Sequence, residues 1–364
     1  MQQQFKRRLL KYYPIFKLAI VAGLLLLGLF FIKKTVFPLY QFTKQNNITP
    51  EFIRSLIFNT DIPMKKYKNR TNIVLLGISG GDYEGSDLTD SILFLSLDWK
   101  TFDTILLSIP RDIWMKSLKA KINTAYHYGE EKKKGGGLIL SKSAIEEIVG
   151  VPLHYVWLID FNGFTKMIDL IGGVDIDVPE KIDDKKYPIK GLEDDFCAGD
   201  PTFACRYEHL VLEKGKQHID GELALKYVRS RGTEGEQGTD FSRGKRQQQV
   251  ILVFKDKIIN MSLWKNQDLL RKMYLAFNDA TDTDMKLSEQ ILFAKYFLNS
   301  KNLNIRHLTL DTGNPEKKEA GYLINPPLWQ YDGAWVLVPK SGDFGEIQKY
   351  LFCQLDSPNC PLKP

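Results

Sequence analysis

The chain opens on an uncharged apolar run, Leu18 to Ile32, with Lys6, Arg7, Arg8, Lys11 and Lys17 before it and Lys33 and Lys34 after it. From Asn72 onward the pattern changes to short apolar runs separated by turn residues. Ile73 to Leu76, Ser91 to Leu97, Thr104 to Ile109, Val156 to Phe161 and Val174 to Val178 read as strands. Leu138 to Val149, Phe164 to Ile171, Asp220 to Tyr227, Ser242 to Met261 and Leu287 to Leu298 read as helices, and Gly150 and Gly172-Gly173 are natural stops. A further strand is expected around Leu303 to Leu310. Strands alternating with helices predict an α/β fold, a central mixed sheet covered by helices on both faces.

The N-terminal run is short for a bilayer when counted from Leu18, since about 20 apolar residues are needed. Counted from Tyr12, with Lys17 reaching back to the interface, it is long enough. A cleaved signal peptide is the competing reading, but no small-residue cleavage site follows the run. The excess of basic residues on its near side places a short tail, residues 1–11, in the cytoplasm. The chain is therefore expected to be a single-pass protein of the cell membrane, anchored by residues 12–34. A polar stalk at 35–71 would lead to one extracytoplasmic domain over 72–353 and a tail at 354–364.

Composition changes this picture little. Apolar residues at 43% and charged residues at 26% are ordinary for a globular protein, and the net charge of +6 is mildly basic. The four cysteines fall into two local pairs, Cys197 with Cys205 and Cys353 with Cys360. Neither pair has the two-residue spacing of a zinc site, so disulfides outside the cytoplasm are favoured over metal binding, with free buried thiols as the other reading. The five histidines are scattered without metal spacing, and structural or surface roles are expected for each.

Candidate chemistry gathers at a few places. Gly77-Ile78-Ser79-Gly80-Gly81 follows the first strand but lacks the lysine of a phosphate-binding loop, so a tight turn is its plainest reading. Asp90 stands at the mouth of the second strand, and Arg111-Asp112 closes the third. Alone, Arg111 and Asp112 would read as a surface ion pair. Between Lys226 and Arg246 the basic residues Arg229, Arg231, Arg243 and Lys245 outnumber the acids. Arginine grips phosphate with a planar fork that lysine lacks, so a phosphate or diphosphate clamp is expected. A nucleic-acid surface is the rival, but no nucleic-acid motif is present.

The ordered set of these blocks resembles the LytR-CpsA-Psr family. The blocks are Ser108-Ile109-Pro110-Arg111-Asp112, Lys121-Ile122-Asn123, Asp160 to Phe164, Gly172 to Asp175, Tyr227 to Arg231 and Asp240 to Gln247, within a motif core at 72–258. The resemblance implies a sheet-and-helix sandwich around a greasy tunnel for a polyprenyl tail. It implies an extracytoplasmic phosphotransferase that moves a glycopolymer phosphate from a polyprenyl diphosphate carrier to a peptidoglycan hydroxyl, with Mg²⁺ (or Mn²⁺). Carried over position by position, Asp90 and Asp112 would hold the metal, directly or through water. Arg111, Arg229, Arg231, Arg243 and Gln247 would grip the diphosphate, with Lys121 and Arg246 alongside, and Asp240 would be the base.

Two positions depart from the family pattern. Ser79 stands where an aspartate is usual and Leu88 where an arginine is usual, although Asp82, Glu84 or Asp87 could supply a carboxylate. These departures favour an alternative, a non-catalytic membrane sensor that binds polyprenyl diphosphate lipids. A diphosphate hydrolase is a third reading, if water replaces the sugar hydroxyl.

Overall fold

The structure is a computed structural model that describes residues 48–58, 64–81, 85–189, 191–192, 195–231, 240–261, 266–299, 304–314 and 319–362, with scattered positions between Phe30 and Lys44. The expected anchor at 12–34 lies almost wholly outside them. Among the described residues no helix is long and apolar enough to cross a membrane.

The chain divides into two compact units. The smaller comprises residues up to Met64 together with Lys286–Tyr296. It holds helix α1 (Pro50–Phe58) and most of α8 (Leu287–Asn299), where Ser55 O accepts from Lys295 Nζ at 3.2 Å. The larger unit, Lys65–Met285 with Phe297–Pro364, is built on one sheet.

Six strands form that sheet: β1 (Arg70–Ile78), β2 (Thr89–Asp98), β3 (Asp103–Ser108), β4 (Tyr155–Asp160), β9 (Thr281–Thr283) and β10 (Asn304–Thr309). Their order is β9-β4-β1-β2-β3-β10. β1 runs parallel to β4, and β3 to β10, while the other pairs are antiparallel, so the sheet is mixed as expected. Ile73 and Val74 are fully buried on opposite faces, which is why this strand reads as a continuous apolar run.

Alternation along β1 and β2 assigns the faces. Val74, Leu76, Ile92 and Phe94 pack into one core with Ala125 and Tyr126 of α2 (Ala125–Lys132), Ile145 and Ile148 of α3 (Gly136–Val149), and Ile347 and Leu351 of α9 (Gly345–Asp356). Gly150 ends α3 in the left-handed conformation at φ 70°, the stop its position predicted. On the other face, Trp157 of β4 meets Phe277 of α7 (Gln267–Ala280) edge-on at 5.3 Å, so helices cover both faces.

A second core lies below α4 (Phe161–Leu170), α5 (Gly221–Arg229) and α6 (Asp240–Asn260). Two ladders complete it, β5 (Val174–Val178) with β8 (Gly215–Ile219), and β6 (Ile182–Pro188) with β7 (Tyr207–Leu212). Both cysteine pairs form disulfides, Cys197–Cys205 and Cys353–Cys360. Away from the cavity, Asp103 takes Arg306 at 2.9 and 2.7 Å and also Arg70. Burial alone would raise its pKa, but the two guanidinium groups outweigh that and hold it below the usual carboxylate range. Arg70 and Arg306 also donate to the last carbonyls of α9, at Leu355 and Gln354, where the helix dipole favours cations.

Candidate active site

β1 and β4 are parallel and end together at Ile78 and Asp160, the edge at which open α/β sheets bind ligands. β2 begins at that edge with Thr89 and Asp90, and β3 delivers Arg111 and Asp112 just beyond its end. Asp160 caps α4 by accepting the Gly163 N–H at 2.6 Å. Gly77 is needed here for close approach: a Cβ would stand 3.1 Å from Ser91 Cβ and 3.2 Å from the Phe161 ring.

A cavity of about 360 Å³ opens at this edge. Its inner wall is apolar, with Leu75, Leu93, Ile159, Phe164, Leu225 and Ile251. Polar residues of the wall are Asp90, Arg111, Arg229, Arg231, Arg243 and Gln247, together with Asp184 and Lys186. The guanidinium of Arg111 is paired with Asp90, and Arg229 lies 3.7 Å from the same carboxylate. Arg229 also stacks over the Phe161 ring at 4.7 Å, which fixes the plane of its fork.

The remaining candidates stand behind this wall or outside the described residues. Asp112 accepts from Lys121 at 2.9 Å and lies 3.6 Å from Arg111 Nε, too long for a hydrogen bond; neither Asp112 nor Lys121 lines the cavity. Arg246 is buried and donates to Ser230 O at 2.6 Å, bracing the turn that carries Arg231. Asp240 opens α6, but its side chain is outside the described residues. Asp82 and Glu84 also fall outside them, while Asp87 is engaged with His127 at 2.9 Å. Ser79 donates to Asp90 at 3.3 Å, so the departure from the family pattern places a hydroxyl beside this carboxylate.

Three polar wall residues escaped the sequence reading. Asp184, Lys186 and Tyr187 lie on β6, in a stretch with no apolar alternation. Asp184 is almost fully buried and accepts from Ser230 Oγ at 2.8 Å and Arg231 N at 3.2 Å. Burial pushes the Tyr187 phenol up, so it serves as a neutral wall.

The donor set bears on a metal. Asp90 supplies hard oxygens on the cavity wall, with the Ser79 hydroxyl bonded to its carboxylate, the kind of donor Mg²⁺ takes when phosphates and water complete its shell. Among the described residues, the one cluster of three metal-type ligands is Asp195, Cys197 and Cys205, whose sulfurs are joined in a disulfide.

Comparison with known proteins decides the family, because the LytR_cpsA_psr family matches residues 36–332. The chain belongs to that family. It is 26% identical over 265 residues to polyisoprenyl-teichoic acid–peptidoglycan teichoic acid transferase TagV of Bacillus subtilis (strain 168), covering 70% of this chain and 60% of TagV. It is 26% identical over 260 residues to the transferase TagU of Bacillus mycoides (strain KBAB4), covering 67% of this chain and 75% of that one. The chain thus spans well under the full length of these LytR_cpsA_psr relatives. Two solved structures share the fold: B. subtilis TagV, with a TM-score of 0.53 at 24% identity over 80% of this chain and 99% of that one, and TagT bound to LI-WTA, with 0.52 at 22% over 80% and 94%.

Proposed function

We propose that the protein is an extracytoplasmic phosphotransferase that moves a glycopolymer phosphate from a polyprenyl diphosphate carrier to a peptidoglycan hydroxyl. The observation that carries this reading is the convergence of Arg111, Arg229, Arg231 and Arg243 on one wall of a cavity whose remaining lining is largely apolar. Apolar walls suit a polyprenyl tail, and four guanidinium groups suit its diphosphate head. The relatives' names, teichoic acid transferases acting between polyisoprenyl carriers and peptidoglycan, point the same way.

In this reading the acceptor oxygen attacks the phosphorus that carries the glycan. The bond from that phosphorus to the bridging oxygen breaks, polyprenyl phosphate leaves, and the hydroxyl proton passes to Asp240. Arg229 and Arg231 hold the diphosphate in line, and Arg111 meets the charge that develops on the leaving phosphate. Asp90 would hold Mg²⁺ or Mn²⁺ on the cavity side, with Asp112 acting only through water. Such a cation, when bound, supplies charge neutralisation at the phosphoryl group. The two disulfides support an extracytoplasmic domain behind an anchor at residues 12–34.

A second reading is a sensor that binds lipid diphosphates without turning them over. It is favoured by Ser79, which places a hydroxyl where the family usually has a carboxylate. One experiment separates the two. The full chain is incubated with Mg²⁺, a lipid-linked glycan diphosphate and peptidoglycan fragments, and the acceptor is examined by mass spectrometry. Glycan phosphate on the acceptor, absent with Arg231→Ala, establishes the transferase. Lipid binding with no transfer across several donors establishes the sensor.

A further inference from the structure

The segment between Leu323 and Pro339 forms a hairpin-like loop with its largest apolar side chains turned outward. Leu323 pairs with Pro339, and Ile324 with Val338. Within the loop, Asn325 Nδ2 donates to Val336 O at 2.7 Å, Gly333 N to Leu328 O at 2.9 Å, and Ala334 N to Tyr331 O at 2.8 Å. On a backbone held this firmly, Trp329 is 78% exposed and Trp335 50%. Two indoles kept in water by a well-tied loop forgo the burial that ordinarily rewards this side chain, which marks an interaction surface.

The loop is tied to the reacting end of the cavity. Leu337 N donates to Asp112 O at 2.9 Å, and Trp114 N donates to Leu337 O at 2.9 Å. The Trp114 ring packs edge-on against Tyr331 at 5.1 Å. Trp114 is also the register partner of Lys121, whose ammonium holds Asp112. The indoles are therefore carried by a segment that hydrogen-bonds directly to the Asp112 backbone.

Charge selects the partner. From Leu323 to Pro339 there is no lysine or arginine and Asp332 is the one acid; the first cation is Lys340, at the foot of the loop, where its N–H donates to Tyr322 O at 2.9 Å. A polyanion or an anionic membrane surface would be met by cations flanking the aromatics. An uncharged sugar chain needs none: the flat C–H face of a pyranose packs on an indole while its hydroxyls stay in water. We propose that Trp329 and Trp335 form a platform for an uncharged pyranose glycan strand; resting on the transferase reading, that strand is the acceptor.

The test uses the full chain in detergent micelles with peptidoglycan sacculi stripped of attached polymers, the bound fraction being read after sedimentation. The native protein is expected to sediment with the sacculi, and Trp329→Ala/Trp335→Ala to bind about tenfold more weakly. Affinity for a polyprenyl diphosphate lipid should be unchanged. A native protein that stays in solution, or a double variant that binds as well as the native, overturns the platform. If the variant instead loses binding to phosphatidylglycerol vesicles while sacculus affinity is intact, a membrane surface replaces the glycan. Should the double variant fail to fold, Trp329→Ala alone makes the same comparison, because this side chain is largely in water. A failed transferase reading is distinguishable: no product forms with any donor, yet sacculus binding still depends on the two indoles.

Discussion

The carboxylate of Asp184 accepts the hydroxyl of Ser230 at 2.8 Å, and the Arg231 N–H at 3.2 Å, in a site only 1% exposed. A buried acid on β6 thereby sets the turn at the end of α5 from which Arg231 enters the cavity. Arg246, donating to Ser230 O, holds the same turn from α6. Arg231 is thus positioned by a residue that belongs to none of the family motifs.

Replacing Asp184 by alanine leaves the buried Ser230 hydroxyl and the partly buried Arg231 N–H without this acceptor, at a cost of about 2–3 kcal/mol. Urea unfolding should show the loss as a lower midpoint. Lipid-diphosphate affinity should fall as well, because Arg231 loses its seat. Unchanged affinity in a folded Asp184→Ala protein would show that the turn holds without the acid.

Arg229→Lys keeps the charge but loses the planar fork stacked on Phe161. Donor affinity should fall about tenfold, while Phe161→Leu should cost only about two- to fivefold, the scale of an exposed cation–π contact. Titration of a lipid diphosphate against each variant gives the comparison. Equal affinities for native and Arg229→Lys would mean that point charge alone suffices there.

Gly163 sits where α4 meets α7: a Cβ there would fall 1.8 Å from Ala280 Cβ. Gly163→Ala should destabilise the protein by about 3 kcal/mol through overpacking. A guanidinium denaturation curve tests it, and an unshifted midpoint would count against so tight a crossing.

Stability should fall on mild acidification. Burial, aided by the Lys142 ammonium, holds His154 below the ordinary imidazole pKa. Its Nδ1 accepts the Asn72 N–H at 2.9 Å, a bond that needs the unprotonated nitrogen. The unfolded chain therefore takes the proton first. Stability from neutral His154 is full above the unfolded pKa of about 6.5 and is lost as pH falls through it towards the lower folded value. His307, held low by burial and then by Lys245, acts with the same sign. The half-buried His127, raised by its bond to Asp87, acts with the opposite sign. Urea midpoints at about pH 7.5 should exceed those at about pH 5.5, and His154→Gln should narrow the gap. Midpoints that do not change with pH would refute this account.

Much of the larger unit was legible in the chain. Strands β1 to β5 and helices α3 to α6 lie where the apolar periods and glycine stops place them, because period and propensity act over a few neighbouring residues. The cavity arginines were legible too, since Arg229 and Arg231, then Arg243, sit in short basic blocks beside amphipathic helices. β6 was not: Ile182 to Pro188 has no alternation, because its buried positions include an acid held by hydrogen bonds rather than an apolar side chain. Helix α7 was missed as well, and with it the Phe277 contact on Trp157.

By itself, the sequence determined the alternation of strands and helices, favoured the two local disulfide pairs and grouped the arginines that line the cavity. Only the tertiary structure decided which charges meet. It gave Asp90 to Arg111 and Arg229, turned Asp112 onto Lys121, and brought Asp184 under Arg231. Apart from Asp112 with Lys121, which are nine residues apart, those pairings join residues distant along the chain. They depend on strand register and on how helices cross, and neither is written in the local periods that a sequence displays.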